Sequence, residues 1–322
     1  MEEQDNERHG VVRKKLRVGR LLAFLVLFFG ALVGCFFLGQ WLYAIFSPPK
    51  IPIVAADDDM VFDETLNKRL NVLILGVDDG DNEYKDAPKR TDVMLLASFD
   101  PVKNDVALLS LPRDTRVKIP GNQGLDKINH AYAYGGISLA KKTVANLLQI
   151  PIHYYVLLNW QGFKDVIDNI GGIDYYVEND MDYEDPYADL KIHIEHGYQH
   201  MDGEKAGQYI RFRNDELGDI GRVQRQQRFL KALASEIFSV GNVIKVPSLI
   251  NSVEKYIETD MDFLTMAKAA NSFKVFGGDK VKSQMLYGDF QTIDGVSYWV
   301  TTPEKTEKNL NELNIPYKKV KK

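Results

Sequence analysis

The chain has 322 residues, 45% hydrophobic and 26% charged, values that exclude a disordered protein. Its formal net charge is −5, and setting aside the basic first 46 residues leaves the remainder more acidic still, which argues against a nucleic-acid-binding domain with its basic footprint. The only cysteine, Cys35, lies inside an apolar run, so no internal disulfide framework is available.

In chain order, residues 1–20 read as a cytoplasmic stub. Leu21 to Phe46 carries no charge, and at about 1.5 Å per residue a helix of that length crosses a hydrocarbon core of about 30 Å. Arg13, Lys14, Lys15, Arg17 and Arg20 precede the run and only Lys50 follows closely. The positive-inside bias therefore predicts a cytoplasmic N-terminus and an exported domain. No small-x-small cleavage site follows, so a retained anchor is expected rather than a signal peptide. Residues 47–68, Pro-containing and then acidic, read as a spacer, residues 69–315 as one domain, and 316–322 as a basic tail.

Within the domain, apolar runs at 72–77, 93–99 and 106–111 predict strands buried on both faces. The turn-rich residues 100–104 make the second and third a hairpin. Helical spacing covers 137–149, a strand 152–158, a helix 160–170 and a strand 173–177. A loop rich in Asp and Tyr follows, then a strand at 190–194 and helices at 202–210, 219–239, 247–257 and 261–275. Strands at 281–287 and 296–300 close the pattern. The expected class is α/β, with α+β as the variant: a central mixed sheet flanked by helices, preceded by one transmembrane helix.

Two groups of charged residues point to chemistry. Tyr209 to Phe229 holds Arg211, Arg213, Arg222, Arg225 and Arg228. At about 100° per residue, Arg222 and Gln226 fall on the stripe that Phe229, Leu230 and Leu233 turn toward the core, while Arg228 points to solvent. An inward guanidinium needs an anion, either a carboxylate such as Asp215 or Asp219 or a bound phosphate gripped by its planar fork. The second group lies at strand ends: Asp78 and Asp79 after the first strand, Arg90 and Asp92 around the start of the second, Arg113 and Asp114 after the third. The hairpin would put Arg90 and Arg113 at one end of the sheet, where α/β folds gather ligands. An ion-pair network accounts for that pattern, and so does a phosphate-bound Mg²⁺ held by Asp78 and Asp92. His193, His196 and His200 lack further His or Cys support and read as surface residues. Walker, G-x-S-x-G and H-E-x-x-H motifs are absent.

The stretches NVLILGVDDG at 71–80, RTDVMLLASFDP at 90–101 and LLSLPRDTRVKIPG at 108–121 resemble the LytR-CpsA-Psr family of cell-envelope proteins. So do DKINHAYAYGG at 126–136, LNWQGFKDVIDNIGGID at 158–174 and, between 202 and 227, DGEKAGQYIRFRND and GRVQRQQ. The resemblance implies a phosphotransferase that moves an anionic glycopolymer (wall teichoic acid or capsular polysaccharide) from an undecaprenyl-pyrophosphate carrier to a peptidoglycan hydroxyl, with its lipid tail in an apolar pocket. It implies Mg²⁺ (or Mn²⁺) on Asp78 and Asp92. It also implies a pyrophosphate clamp of Arg90, Arg113, Arg213, Arg222 and Gln226, with Arg211 and Lys127 as further members. Asp92, Arg113 and Arg222 are the expected catalytic residues, and the expected partners are the lipid-linked polymer, peptidoglycan and the membrane, with no nucleic acid. A polyprenyl-phosphate receptor and a transcriptional attenuator are the alternative roles. Gly207 and His196 depart from the family pattern, which usually has an apolar residue and a proline there.

Overall fold

The computed structural model describes residues 47, 51–52, 62, 66, 68–77, 90–101, 103, 105–122, 124–185, 190–212, 221, 225–226, 228–230, 232–233, 236, 256–262, 264–266, 268 and 281–319. The expected anchor at 21–46, together with Asp78, Arg213 and Arg222, lies outside them. Among the described residues no helix is long and apolar enough to cross a membrane.

The order begins β1 (Leu70–Val77), β2 (Thr91–Asp100), β3 (Asp105–Ser110), β4 (Arg116–Lys118), β5 (Leu125–Lys127), α1 (His130–Leu148), β6 (Tyr154–Asn159) and α2 (Trp160–Ile170). It continues with β7 (Ile173–Val177), β8 (Met181–Asp185), β9 (Leu190–Ile194), β10 (Gly197–Met201) and α3 (Gly203–Arg211). The remainder is β11 (Ile257–Thr259), β12 (Val281–Met285), β13 (Asp289–Ile293), β14 (Val296–Val300) and α4 (Pro303–Glu312). The described residues between 221 and 236 are helical, in the span read as a helix at 219–239. The helix expected to reach residue 257 is corrected at its end: Tyr256 is a turn and Ile257 opens β11, which pairs with β6. β-branched Ile257 and Thr259 suit that ladder, and tertiary pairing outweighs the helical reading.

A six-stranded mixed sheet, in the order β11-β6-β1-β2-β3-β12, forms the centre. The apolar runs fill both of its faces. In β1, Leu73, Leu75 and Val77 enter the core shared with Val144 and Leu148 of α1, while Leu70 and Val72 pack on the other side with Leu95, Val106 and Val281. A third cluster joins Phe163 and Ile167 of α2 and Tyr209 of α3 to Phe229 and Leu233. α1 begins seven residues before the expected start because its helix is interrupted at Gly135 and Gly136, the latter at φ 61° and ψ −154°, a conformation open to glycine. The regular spacing readable from sequence starts only after that kink.

Topology decides where a site can form. β1 runs parallel to β6 and β3 parallel to β12, while β2 is antiparallel to both β1 and β3. The C-terminal ends of β1, β3, β6 and β12 therefore share one edge with the N-terminal end of β2. At that edge Asn159 leaves β6 and caps α2, its side chain accepting the Gly162 N–H at 2.8 Å.

On the opposite flank of β1, His153 is buried and its Nδ1 accepts the Asn71 N–H at 3.0 Å. Burial, with nearby Lys141 acting in the same direction, pushes its pKa down from 6.5 to about 4. The folded state thus favours the neutral ring, so this stabilisation is complete above pH 6.5 and is lost as pH falls toward 4. The shift corresponds to about 3 kcal/mol. His153→Asn keeps an acceptor but cannot titrate there, so urea unfolding between pH 7 and 4.5 should show a smaller loss of stability in the variant than in the wild type; equal losses would refute the assignment.

Candidate active site

The β2–β3 hairpin brings together residues that the sequence separates. Arg113 Nη1 donates to Asp92 Oδ1, and its Nε lies 3.6 Å from Asp114 Oδ2. Lys127 Nζ donates to Asp114 Oδ1 at 2.6 Å. The result is an alternating chain, Asp92–Arg113–Asp114–Lys127, whose members all remain partly exposed. The loop that carries it is tied down on every side. The Pro112 carbonyl accepts the Thr115 N–H, the Met94 carbonyl accepts the Leu111 N–H, and the Asp114 carbonyl accepts the Trp299 N–H, the last two at 2.9 Å. From the other side, Ile128 N–H donates to the Thr115 carbonyl at 2.8 Å and Asn129 N–H to the Arg113 carbonyl at 3.3 Å.

Asp92, Arg113 and Gln226 line one pocket at this sheet edge, against apolar walls from Met94, Leu111, Leu230, Met285 and Trp299. Gln226 is oriented by its Nε2, which donates to the Ile210 carbonyl at 3.2 Å. A polar corner with greasy walls is suited to a ligand with a charged head and a hydrocarbon tail. None of the residues lining this pocket comes from α1 or α2.

The other expected site residues divide. Arg90, exposed just before β2, lies close enough to Tyr134 to act on its hydroxyl. That hydroxyl donates to Asp126 Oδ2 at 2.7 Å, a bond that raises its pKa against the pull of Arg90. Arg211 is not among the pocket residues; its guanidinium lies 3.7 Å from the centre of the Trp160 ring at the start of α2. His193, His196 and His200 are exposed and pair with separate carboxylates, Asp182 at 2.8 Å, Asp180 at 3.3 Å and Asp174 at 2.7 Å.

Sequence reasoning missed one buried cation and its anchor. Arg225, 3% exposed, donates through Nη1 to the Phe212 carbonyl at 2.7 Å and sits 3.8 Å from Glu178 Oε1. Glu178 also accepts from Tyr209 Oη at 2.7 Å and from Arg228. Burial opposes the charged form of Glu178, but the Tyr209 and Arg228 bonds prevail and hold its carboxyl below the usual range. This one carboxylate links the end of β7, α3 and the helical turn that presents Gln226. Arg228, expected to face solvent, is about half exposed and still reaches it. The inward stripe itself stands: Phe229 and Leu233 are buried.

Among the described residues no group of three or more His, Cys, Asp or Glu is arranged to hold a metal. The local donors nonetheless suit a hard cation. Beside Asp92, the Oγ1 of Thr91 is buried without a hydrogen-bond partner, an orphaned oxygen of the kind Mg²⁺ prefers.

The LytR_cpsA_psr family matches residues 53–315. The chain belongs to that family. It is 38% identical over 229 residues to the polyisoprenyl-teichoic acid–peptidoglycan teichoic acid transferase TagU of Enterococcus faecalis, covering 71% of this chain and 73% of the relative. Among solved structures of this family, Bacillus subtilis TagV is similar at TM-score 0.67 and 30% identity, over 78% of this chain and 99% of that one. TagT bound to LIIa-WTA is similar at TM-score 0.61 and 27% identity, over 80% and 93%.

Gly207, a departure from the family pattern, has a local reason. A Cβ there would stand 2.5 Å from Cζ2 of Trp160, so the glycine lets the indole lie against α3 one turn before Arg211. Gly207→Leu would force the ring away. The expected cost is about 1–3 kcal/mol in urea unfolding, together with altered Trp160 fluorescence; an unchanged midpoint would show that the ring is not confined by this contact.

Proposed function

We propose that this chain transfers an anionic glycopolymer of the teichoic acid type from a polyisoprenyl-pyrophosphate carrier to a peptidoglycan hydroxyl, forming a phosphodiester. The observation that carries the reading is the pocket in which Arg113, Asp92 and Gln226 form a polar corner against apolar walls. The family membership and the transferase names of its relatives agree with it.

In this reading Arg113 gives a planar fork to the diphosphate and neutralises charge that develops as the phosphoryl group moves. Asp92 and Asp114 hold that fork in place before substrate arrives. Lys127, through Asp114, and Arg90 add positive charge along the same edge. Arg213 and Arg222 belong to the proposed clamp by motif. Mg²⁺ (or Mn²⁺) would be held by Asp92, with Asp78 and the Thr91 hydroxyl as further oxygen donors. When bound it would screen phosphate charge and stabilise the leaving phosphate. Gln226 orients a phosphate oxygen by its fixed amide. The Leu230, Met285 and Trp299 wall takes the start of the lipid tail. The apolar run at 21–46 would anchor the chain in the cell membrane, with the domain on the outer face beside both substrates.

Transfer of a polyisoprenyl-pyrophosphate-linked polymer to isolated peptidoglycan is the test. Arg113→Ala should lower kcat/KM by about a hundredfold or more while the domain unfolds at a urea concentration close to that of the wild type. Asp92→Ala should lose transfer yet still bind the lipid-linked donor. Normal turnover in both variants would remove the site, and donor binding without any transfer by the wild type would leave a receptor.

A further inference from the structure

A second set of side chains stands beside this pocket, outside the phosphate-binding residues. His130, the first residue of α1, places Nδ1 2.9 Å from Asp126 Oδ1. The other carboxylate oxygen accepts the Tyr134 hydroxyl at 2.7 Å. Asp126 is itself set by the β4–β5 ladder, opposite Val117, and by the Lys127 N–H at 2.7 Å. Burial alone would raise its carboxyl, but the His130, Tyr134 and Lys127 bonds outweigh that and keep it below its ordinary value, so it stays an anion. A carboxylate that takes the Nδ1 proton fixes the ring tautomer and leaves Nε2 as a proton acceptor. The imidazole is 17% exposed, so a substrate group can reach it.

The dyad is strapped to the pocket loop. Residue 128 bonds the Thr115 carbonyl, residue 129 the Arg113 carbonyl, and Lys127 reaches Asp114. On its other side Tyr134 feels Arg90. Asn129, which precedes His130, already has helical φ and ψ (−68° and −19°), so its side chain makes no cap bond. Its Oδ1 is buried with no hydrogen-bond partner, in a residue 6% exposed. An incoming carbohydrate hydroxyl therefore has His130, not the enclosed Asn129 oxygen, as the accessible acceptor in this turn.

Resting on the transferase reading above, we infer that His130, held by Asp126, is the general base that activates the acceptor hydroxyl. As the hydroxyl oxygen forms its bond to the polymer-linked phosphorus, the bond from that phosphorus to the bridging oxygen breaks. The hydroxyl proton passes to His130 Nε2 and from the imidazolium to the departing polyisoprenyl phosphate. The products are the polymer–peptidoglycan phosphodiester and polyisoprenyl monophosphate, with the histidine neutral again.

The test uses the full chain in lipid nanodiscs, with a polyisoprenyl-pyrophosphate-linked polymer and peptidoglycan. His130→Gln, which can still meet Asp126 but cannot take the proton, should lower kcat by about 10²–10⁴-fold and leave the donor KM within about threefold. His130→Ala should regain at least tenfold on adding imidazole, whereas Arg113→Ala should regain nothing. Undiminished kcat in His130→Gln overturns the inference, as does joint loss of kcat and donor binding, or no recovery with imidazole; in each case wild-type transfer leaves the transferase reading intact. No transfer by the wild type under any condition would instead remove that reading and the base with it.

Discussion

Arg113 is a cation fixed between two carboxylates at the edge of a sheet, and the surrounding architecture serves to keep it there. Asp92 comes from the start of β2 and Asp114 from the turn after β3, so only the antiparallel pairing of those strands can bring both to one guanidinium. In water such pairs contribute little, because solvent screens them and long side chains resist ordering. Here the ordering is done by the backbone. The loop is hydrogen-bonded to β2, to the segment leading into α1 and to β14, so the backbone that bears Arg113 has little freedom left to lose.

That arrangement explains which parts of the molecule were legible in sequence. β1, β2 and β3 are continuous apolar runs because both sheet faces are covered, and the hairpin of β2 and β3 predicted that Arg90 and Arg113 fall at one end of the sheet. β8 and β10 were not legible. Met181 and Met201 are their buried positions, but Asp, Tyr and His on the exposed face resemble a loop. α4 escaped for a related reason: within PEKTEKNLNE, Leu310 is the one large apolar side chain buried, and the helix is held by the Thr302 cap and by Leu313 and Ile315 beyond it.

The arginine-rich helix shows both the reach and the limit of periodicity. Its spacing correctly turned Phe229 and Leu233 inward. It could not reveal that Arg225 would be buried beside them, because the balancing charge, Glu178, is supplied by the turn after β7, far away in the chain. A similar blindness hid His130: the Gly135–Gly136 interruption separates its turn from the regular part of α1, so the Asp126–His130–Tyr134 contacts became visible only once β4 and β5 paired.

The flanks of the central sheet carry a different consequence. One outer strand, β11, is only three residues long and its Glu258 is exposed; the other, β12, presents Lys282 and Ser283 to solvent. Short or charged margins discourage backbone zippering between neighbouring molecules. Neighbouring copies would therefore find little open ladder on which to extend this central sheet from one molecule into the next.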